Sequence, residues 1–260
     1  MLNYEYSIDL AKRLASNTSC LLDYGCGAGQ IVENAISAGF DAYGVEEFYE
    51  GGSYRDEAKK RGLLGTRIFE LNNGRIPFDS DKFDVIISNQ VFEHIDDFTK
   101  PLFEINRVLK PSGIFINIFP SVDVWREGHV GIPFVHWLTK GTRTRYYYTL
   151  ALRAMGLGYY KEGKSIRQWT SFGLDWIDKW THYKPLYEIE QKFGVYFTNT
   201  FYDTDYILFR ISRRKRLSMF LPLFEWSVFR PFLKFVCAKF ASRVFVMKKP
   251  LIDGTHDSRN

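Results

Sequence analysis

The feature that most constrains this chain is a short apolar run emptying into a glycine-dense turn. Cys20-Leu-Leu-Asp-Tyr24 leads directly into Gly25-Cys-Gly27-Ala-Gly29. A brief apolar segment closed by glycines is how a strand buried on both faces of a parallel sheet reads. Glycines let the backbone turn sharply and approach a ligand with no Cβ in the way. The next segment, Ile31 to Ala38, reads as a helix stopped by Gly39. Its first N–H groups would face outward, free to meet a polar ligand.

The same unit recurs. Residues 1–18 read as a leading helix. Strands are expected at 42–45, 66–70, 83–88 and 114–119, and helices at 54–61 and 101–109. Strands alternating with helices predict a doubly wound α/β sheet. From residue 121 to about 170 the rhythm fails, and this segment reads as an insert over the ligand-binding end of the sheet. A helix is expected at 176–193. Two strands joined by a short turn, 195–200 and 206–211, would complete the sheet. The domain would then span 1–212, followed by a basic amphipathic tail (213–249) and a disordered end (250–260).

Two further acid or amide positions fall at carboxyl ends of strands, where open α/β sheets bind ligands. Glu46 lies about twenty residues past the glycine turn, where an acid can bind both ribose hydroxyls. Asn72, five residues before Pro77, sits where a loop can hydrogen-bond an adenine. Together LLDYGCGAG, YGVEE, GRIPFDSDKFDVIISNQVFEHIDD and EINRVLKPSGIFINIFPS resemble the class I (Rossmann-like, type 11-like) S-adenosylmethionine-dependent methyltransferases over residues 19–120. The resemblance implies a Rossmann-like, seven-stranded sheet, mostly parallel with an antiparallel last strand, and S-adenosylmethionine as cofactor. It implies that Asp23, Gly25, Cys26 and Gly27 hold the methionine end and Glu46 the ribose. Asn72 would take the adenine edge, and Asn89 and Gln90 would flank the sulfonium. The family usually has Asp where Asn72 stands; an amide still donates and accepts there. A dinucleotide would favour Gly-x-Gly-x-x-Gly, but position 30 is Gln30.

Methyl transfer is an in-line displacement that needs alignment, and a base only when the acceptor must lose a proton. His94, after the fourth strand, and His129, in the insert, are the catalytic candidates. His136, Arg143 and Arg145 are the substrate-binding candidates, since an arginine-rich insert suits an anionic acceptor. No metal site is expected: His129 and His136 are seven apart with no acid or Cys at ligand spacing. Cys26 reads as a small filler.

The net charge of +5 is unevenly spread. Ten Lys/Arg and one acid fall between Arg213 and Lys249, so the rest of the chain is net acidic. Leu217, Phe220, Leu221, Phe224 and Val228 fall on one helical face, and Phe232, Phe235, Val236 and Phe240 on another. Such a segment suits an anionic membrane surface. Packing or homodimerisation competes, and RNA is the weaker reading. The start lacks a signal-peptide core, and three cysteines make no disulfide framework; both point to a cytoplasmic protein, peripheral at the inner face of the membrane. The combined expectation is an O-methyltransferase of a small molecule or a membrane-associated anionic sugar, glycan or lipid precursor. RNA methylation or a non-catalytic cofactor-binding scaffold are the alternatives.

Overall fold

In the computed structural model, residues 2–16, 19–48 and 53–250 are described. The end expected to be disordered lies, apart from Pro250, outside them. In chain order the regular elements are α1 (Leu2–Leu14), β1 (Cys20–Tyr24), α2 (Gln30–Ser37), β2 (Asp41–Glu46), α3 (Tyr54–Lys60), β3 (Ile68–Glu70), β4 (Phe83–Asn89), α4 (Thr99–Val108) and β5 (Leu109–Phe119). They continue with α5 (Arg143–Ala154), α6 (Ile166–Trp180), α7 (Leu186–Phe193), β6 (Thr198–Phe201), α8 (Asp203–Ser212), α9 (Leu221–Phe224), α10 (Arg230–Phe240) and β7 (Arg243–Lys248).

One seven-stranded sheet runs β3-β2-β1-β4-β5-β7-β6. Strands β1 to β5 are parallel. Only β7, last in the chain, is antiparallel, to both β5 and β6. The doubly wound α/β reading is therefore correct. Alternate residues face alternate layers. Ile114, Ile116 and Ile118 of β5 join α1, α2, α8 and α10 through Leu10, Val32, Tyr206 and Leu233. Phe115 and Phe119 join α4 and α7 through Ile105, Ile189 and Phe193 on the other face.

Two sequence expectations fail. Residues 206–211 form helix α8, and the strand that completes the sheet is Arg243–Lys248, from the segment read as a tail. Apolar residues here serve a helix that packs by one side, and α8 buries Tyr206, Ile207 and Ile211. Buried Asp203, at the start of α8, accepts from the Arg243 guanidinium (2.6 Å) and the Val244 amide (2.9 Å), tying helix to strand. The helix expected over 176–193 breaks between Trp180 and Leu186. Pro185 disfavours helix in the residue before it and stands at the start of the second helix, α7.

The insert has its own small core: Val130, Ile132, Val135, Trp169 and Ile177. Trp169 Nε1 donates to the Tyr159 carbonyl (2.7 Å).

Candidate active site

A cavity of about 520 Å³ opens at the carboxyl ends of the strands, between the glycine turn and the insert. Its floor comes from the sheet. Register pairs Asp23 with Gly44 and Tyr24 with Val45, which brings Asp23 and Glu46 to the same end. Gly25 has φ +77°, and a Cβ there would lie 2.3 Å from Val91 Cγ2. Neither the conformation nor the space admits a side chain. Cys26 is buried and fills the space beside Gly44, where an added Cβ would lie 2.7 Å from its sulfur. Burial pushes its thiol well up, so it is no nucleophile.

Glu46 closes the turn from the neighbouring strand. Its carboxylate accepts from the Gly27 amide (2.6 Å) and the Glu47 amide (2.9 Å). Burial still raises its pKa against those bonds. Asp23 is fully buried with Oδ1 unpartnered by the chain. Burial, and then the nearby Glu46 carboxylate, hold its carboxyl well above the usual range. Two acids crowded together, with no Lys or Arg among the lining residues, suit a cationic ligand. A sulfonium with an α-ammonium fits this charge; a diphosphate does not.

At the end of β4, Gln90 adopts φ +59° and lines the cavity, its amide donating to Ser242 Oγ (2.7 Å). Asn89 is buried beside it with both side-chain polar atoms unpartnered. Asn72 departs from the expectation. It is exposed, its backbone pairs with Arg75 across a tight turn, and it lines a separate hollow with Phe78. In this structure it is not part of the cavity.

The opposite wall brings the two candidate histidines together. Their rings lie edge to face with centroids 4.8 Å apart, and Trp176 packs 4.9 Å from His129. His94 Nδ1 donates to the Trp180 carbonyl (2.6 Å). His129 Nδ1 lies 2.6 Å from the buried Glu127 carboxylate. Among the described residues neither ring has a hydrogen-bond partner at Nε2. Burial pushes His94 below its ordinary value. Glu127 also accepts from Tyr183 Oη (2.8 Å) and the Val130 amide (2.6 Å). Burial opposes its ionisation, but His129 and these donors hold it below the usual carboxylate range. Tyr160, Trp180, Phe48 and Tyr54 complete an aromatic lining.

The expected substrate-binding residues are not brought there. The Arg145 guanidinium pairs with Asp178 (2.6 Å) and donates to the Val135 carbonyl (3.0 Å), so it holds α5 to α6. Arg143 is exposed at the start of α5. His136 lies in a neighbouring polar hollow, its Nε2 3.2 Å from the Val122 carbonyl. Sequence reasoning missed Glu93, Glu127, Trp176 and Tyr183. Glu127 stood two residues from His129, but nothing in the sequence marks an acid as buried.

Residues 22–117 match the model of the methyltransferase domain family. Residues 22–117 thus form a class I, Rossmann-like, S-adenosylmethionine-dependent methyltransferase domain. It is similar to a demethylmenaquinone methyltransferase of Leptospira interrogans, 32% identical over 45% of this chain and 47% of the relative. A ubiquinone biosynthesis O-methyltransferase of Paramagnetospirillum magneticum is 28% identical over 47% of this chain and 50% of its own length. The chain thus spans about half the length of the curated relatives it matches. Among solved structures, a methyltransferase from Mesorhizobium loti superposes with a TM-score of 0.53 at 14% identity, covering 96% of this chain and 100% of that one. Haemonchus contortus phosphoethanolamine N-methyltransferase 2 superposes at 0.52 and 17% identity, covering 95% and 52%. These two show the fold.

Proposed function

We propose that the chain is a methyltransferase that binds S-adenosylmethionine against Asp23, Gly25, Gly27 and Glu46 and transfers its methyl to a small acceptor held by the insert. The cofactor supplies the activated methyl group. The chain supplies alignment and exclusion of water. The observation that carries this reading is a single cavity joining an acid-lined glycine turn to an aromatic wall with two histidines.

O-methylation is favoured over C-methylation. A hydroxyl must lose its proton, and two imidazoles, His94 and His129, line the cavity as candidate acceptors. The acceptor is planar and largely apolar: Trp176, Trp180 and Tyr160 line its end of the cavity, and no Lys or Arg does. The quinone-pathway relatives support the same chemistry. An anionic sugar or glycan lacks a cation in this cavity to receive it.

The same reading places the enzyme at an anionic membrane surface, where such acceptors partition. Met219, Phe220, Trp226, Val228, Phe232 and Phe235 are all exposed, next to Arg213 to Arg216 and Lys234. Among the described residues no helix is long and apolar enough to cross a membrane. An interfacial mode suits such a surface.

Calorimetric titration with S-adenosylmethionine, S-adenosylhomocysteine and NAD tests the cofactor assignment. Binding of the two sulfur compounds and not NAD is expected. Glu46→Ala should weaken them by about 1.5–3 kcal/mol, the range for a charged hydrogen bond. Unchanged affinity in that variant would remove Glu46 from the site.

A further inference from the structure

The two histidines do not stand alone. Glu93, one residue before His94, is 1% exposed, and neither of its carboxylate oxygens has a hydrogen-bond partner in the chain. Buried carboxylates are almost always hydrogen-bonded, paired or bound to a cation. One ligand atom from each of Glu93, His94 and His129 can be chosen so that all three lie within 4.8 Å of one another. We infer that these three side chains bind a divalent, zinc-type metal ion at the acceptor end of the cavity.

Three features carry the inference. The donor set, two imidazoles and one carboxylate, is the kind that holds catalytic zinc with a position left open for water or substrate. Each imidazole has its Nδ1 fixed by an outer acceptor, the Trp180 carbonyl for His94 and the Glu127 carboxylate for His129. Such partners fix the tautomer and ring orientation of metal ligands. Tyr183 and the Val130 amide in turn hold Glu127. At metal–ligand distances of ~2.1 Å, tetrahedral ligand atoms stand roughly 3.4 Å apart. Binding would draw the three ligand atoms, now within 4.8 Å of one another, closer together.

The ion turns both imidazoles into ligands and away from a direct role as bases. A position left open to the cavity would take an acceptor hydroxyl as an oxygen ligand and lower its pKa, the proton passing to solvent water. The location of the methyl group relative to that oxygen rests on the cofactor reading above. The ion site itself does not.

Cobalt(II) titration of the chelator-treated full chain, followed by visible absorption and competed with zinc, tests the assignment. One ion per chain is expected, with ligand-field bands of low-coordinate cobalt. Glu93→Gln and His129→Gln should abolish stoichiometric uptake, and Glu127→Gln should weaken it roughly tenfold to a hundredfold. S-Adenosylhomocysteine titration of the same preparations separates the two readings, since retained binding shows an intact fold and cofactor end. Substoichiometric cobalt binding in the parent chain would overturn the site. So would uptake unchanged in both Glu93→Gln and His129→Gln, which would assign the ion to other surface groups.

Discussion

Residues 19–120 and 121–250 build their parts of the molecule differently. In the first half β1, β2 and β4 are each followed by a helix, every strand except β4 pairs with the strand before it in the chain, and the candidate cofactor residues sit at strand ends. In the second half an insert with a separate core covers the cavity, and the strand that fills the slot beside β5 arrives only at Arg243. Local chemistry decides the first half. Long-range pairing decides the second, and it supplies much of what would make one methyltransferase differ from another.

The largest effect should come from cutting where the sequence suggests the domain ends. A chain stopped after Ser212 loses β7, which pairs with β5 over six positions and carries β6 on its other side. It also loses Leu233 and Cys237 of α10, packed on the sheet through α8. Thermal melting followed by circular dichroism should show no cooperative transition for this chain and a clear one for the parent. A cooperative melt in the truncated chain would break the contrast, making 213–250 an appendage after all.

A smaller effect separates the two sides of the same segment. One side of α10 is buried, and Phe232 and Phe235 on the other are 53% and 46% exposed, as is Trp226 at 64%. Replacing Trp226, Phe232 and Phe235 together by Ser should leave the melting temperature nearly unchanged, since exposed substitutions rarely matter. Flotation with vesicles containing anionic lipid should fall severalfold. Equal flotation of variant and parent would remove the membrane from the reading of this surface.

What could be read in the sequence follows the same division. The turn at Gly25 to Gly29 needs conformations that few residues other than glycine adopt, so it could be read from residue types alone. Strands β1 and β4 are apolar runs between turn signals and fall within a residue of the expected bounds, whereas β5 starts at Leu109, five residues before the expected 114. Helix α8 was misread because Tyr206-Ile-Leu-Phe-Arg-Ile211 is as apolar as a strand, and only its packing reveals the period. Asn72 was assigned to the cavity by its distance from Pro77, but the turn it makes with Arg75 carries it to a separate hollow. Arg143 and Arg145 looked like a matched pair for an anion. The helix points one to solvent and buries the other against Asp178. That His94 and His129 meet each other and Trp176, and that Glu127 backs His129, is visible only in the fold. Burial of an acid has no signature in a single sequence.

The smallest effect lies in the insert, at His136. Burial lowers its pKa below the ordinary 6.5. One ring nitrogen meets the Val122 carbonyl and the other, Nδ1, is buried without a partner. The fold therefore favours the neutral ring. Its contribution to stability is fully present above pH 6.5 and is lost as pH falls below that value toward the folded pKa. Each pH unit of that interval is worth at most about 1.4 kcal/mol. In the metal-free chain Glu93 works in the opposite sense, because burial pushes its carboxyl up to about 8. A group raised in the fold gives stability at low pH that is lost as pH rises through 8. The pH profile of the parent chain mixes the two, so the informative quantity is a difference. Comparing melting temperatures at pH 7.5 and pH 5.5, His136→Gln should lose less on acidification than the parent, while Glu93→Gln should lose more. Parallel profiles for parent and His136→Gln would mean that the insert core opens readily enough to hydrate the ring. The second region would then differ from the first in rigidity as well as in how its strands are paired.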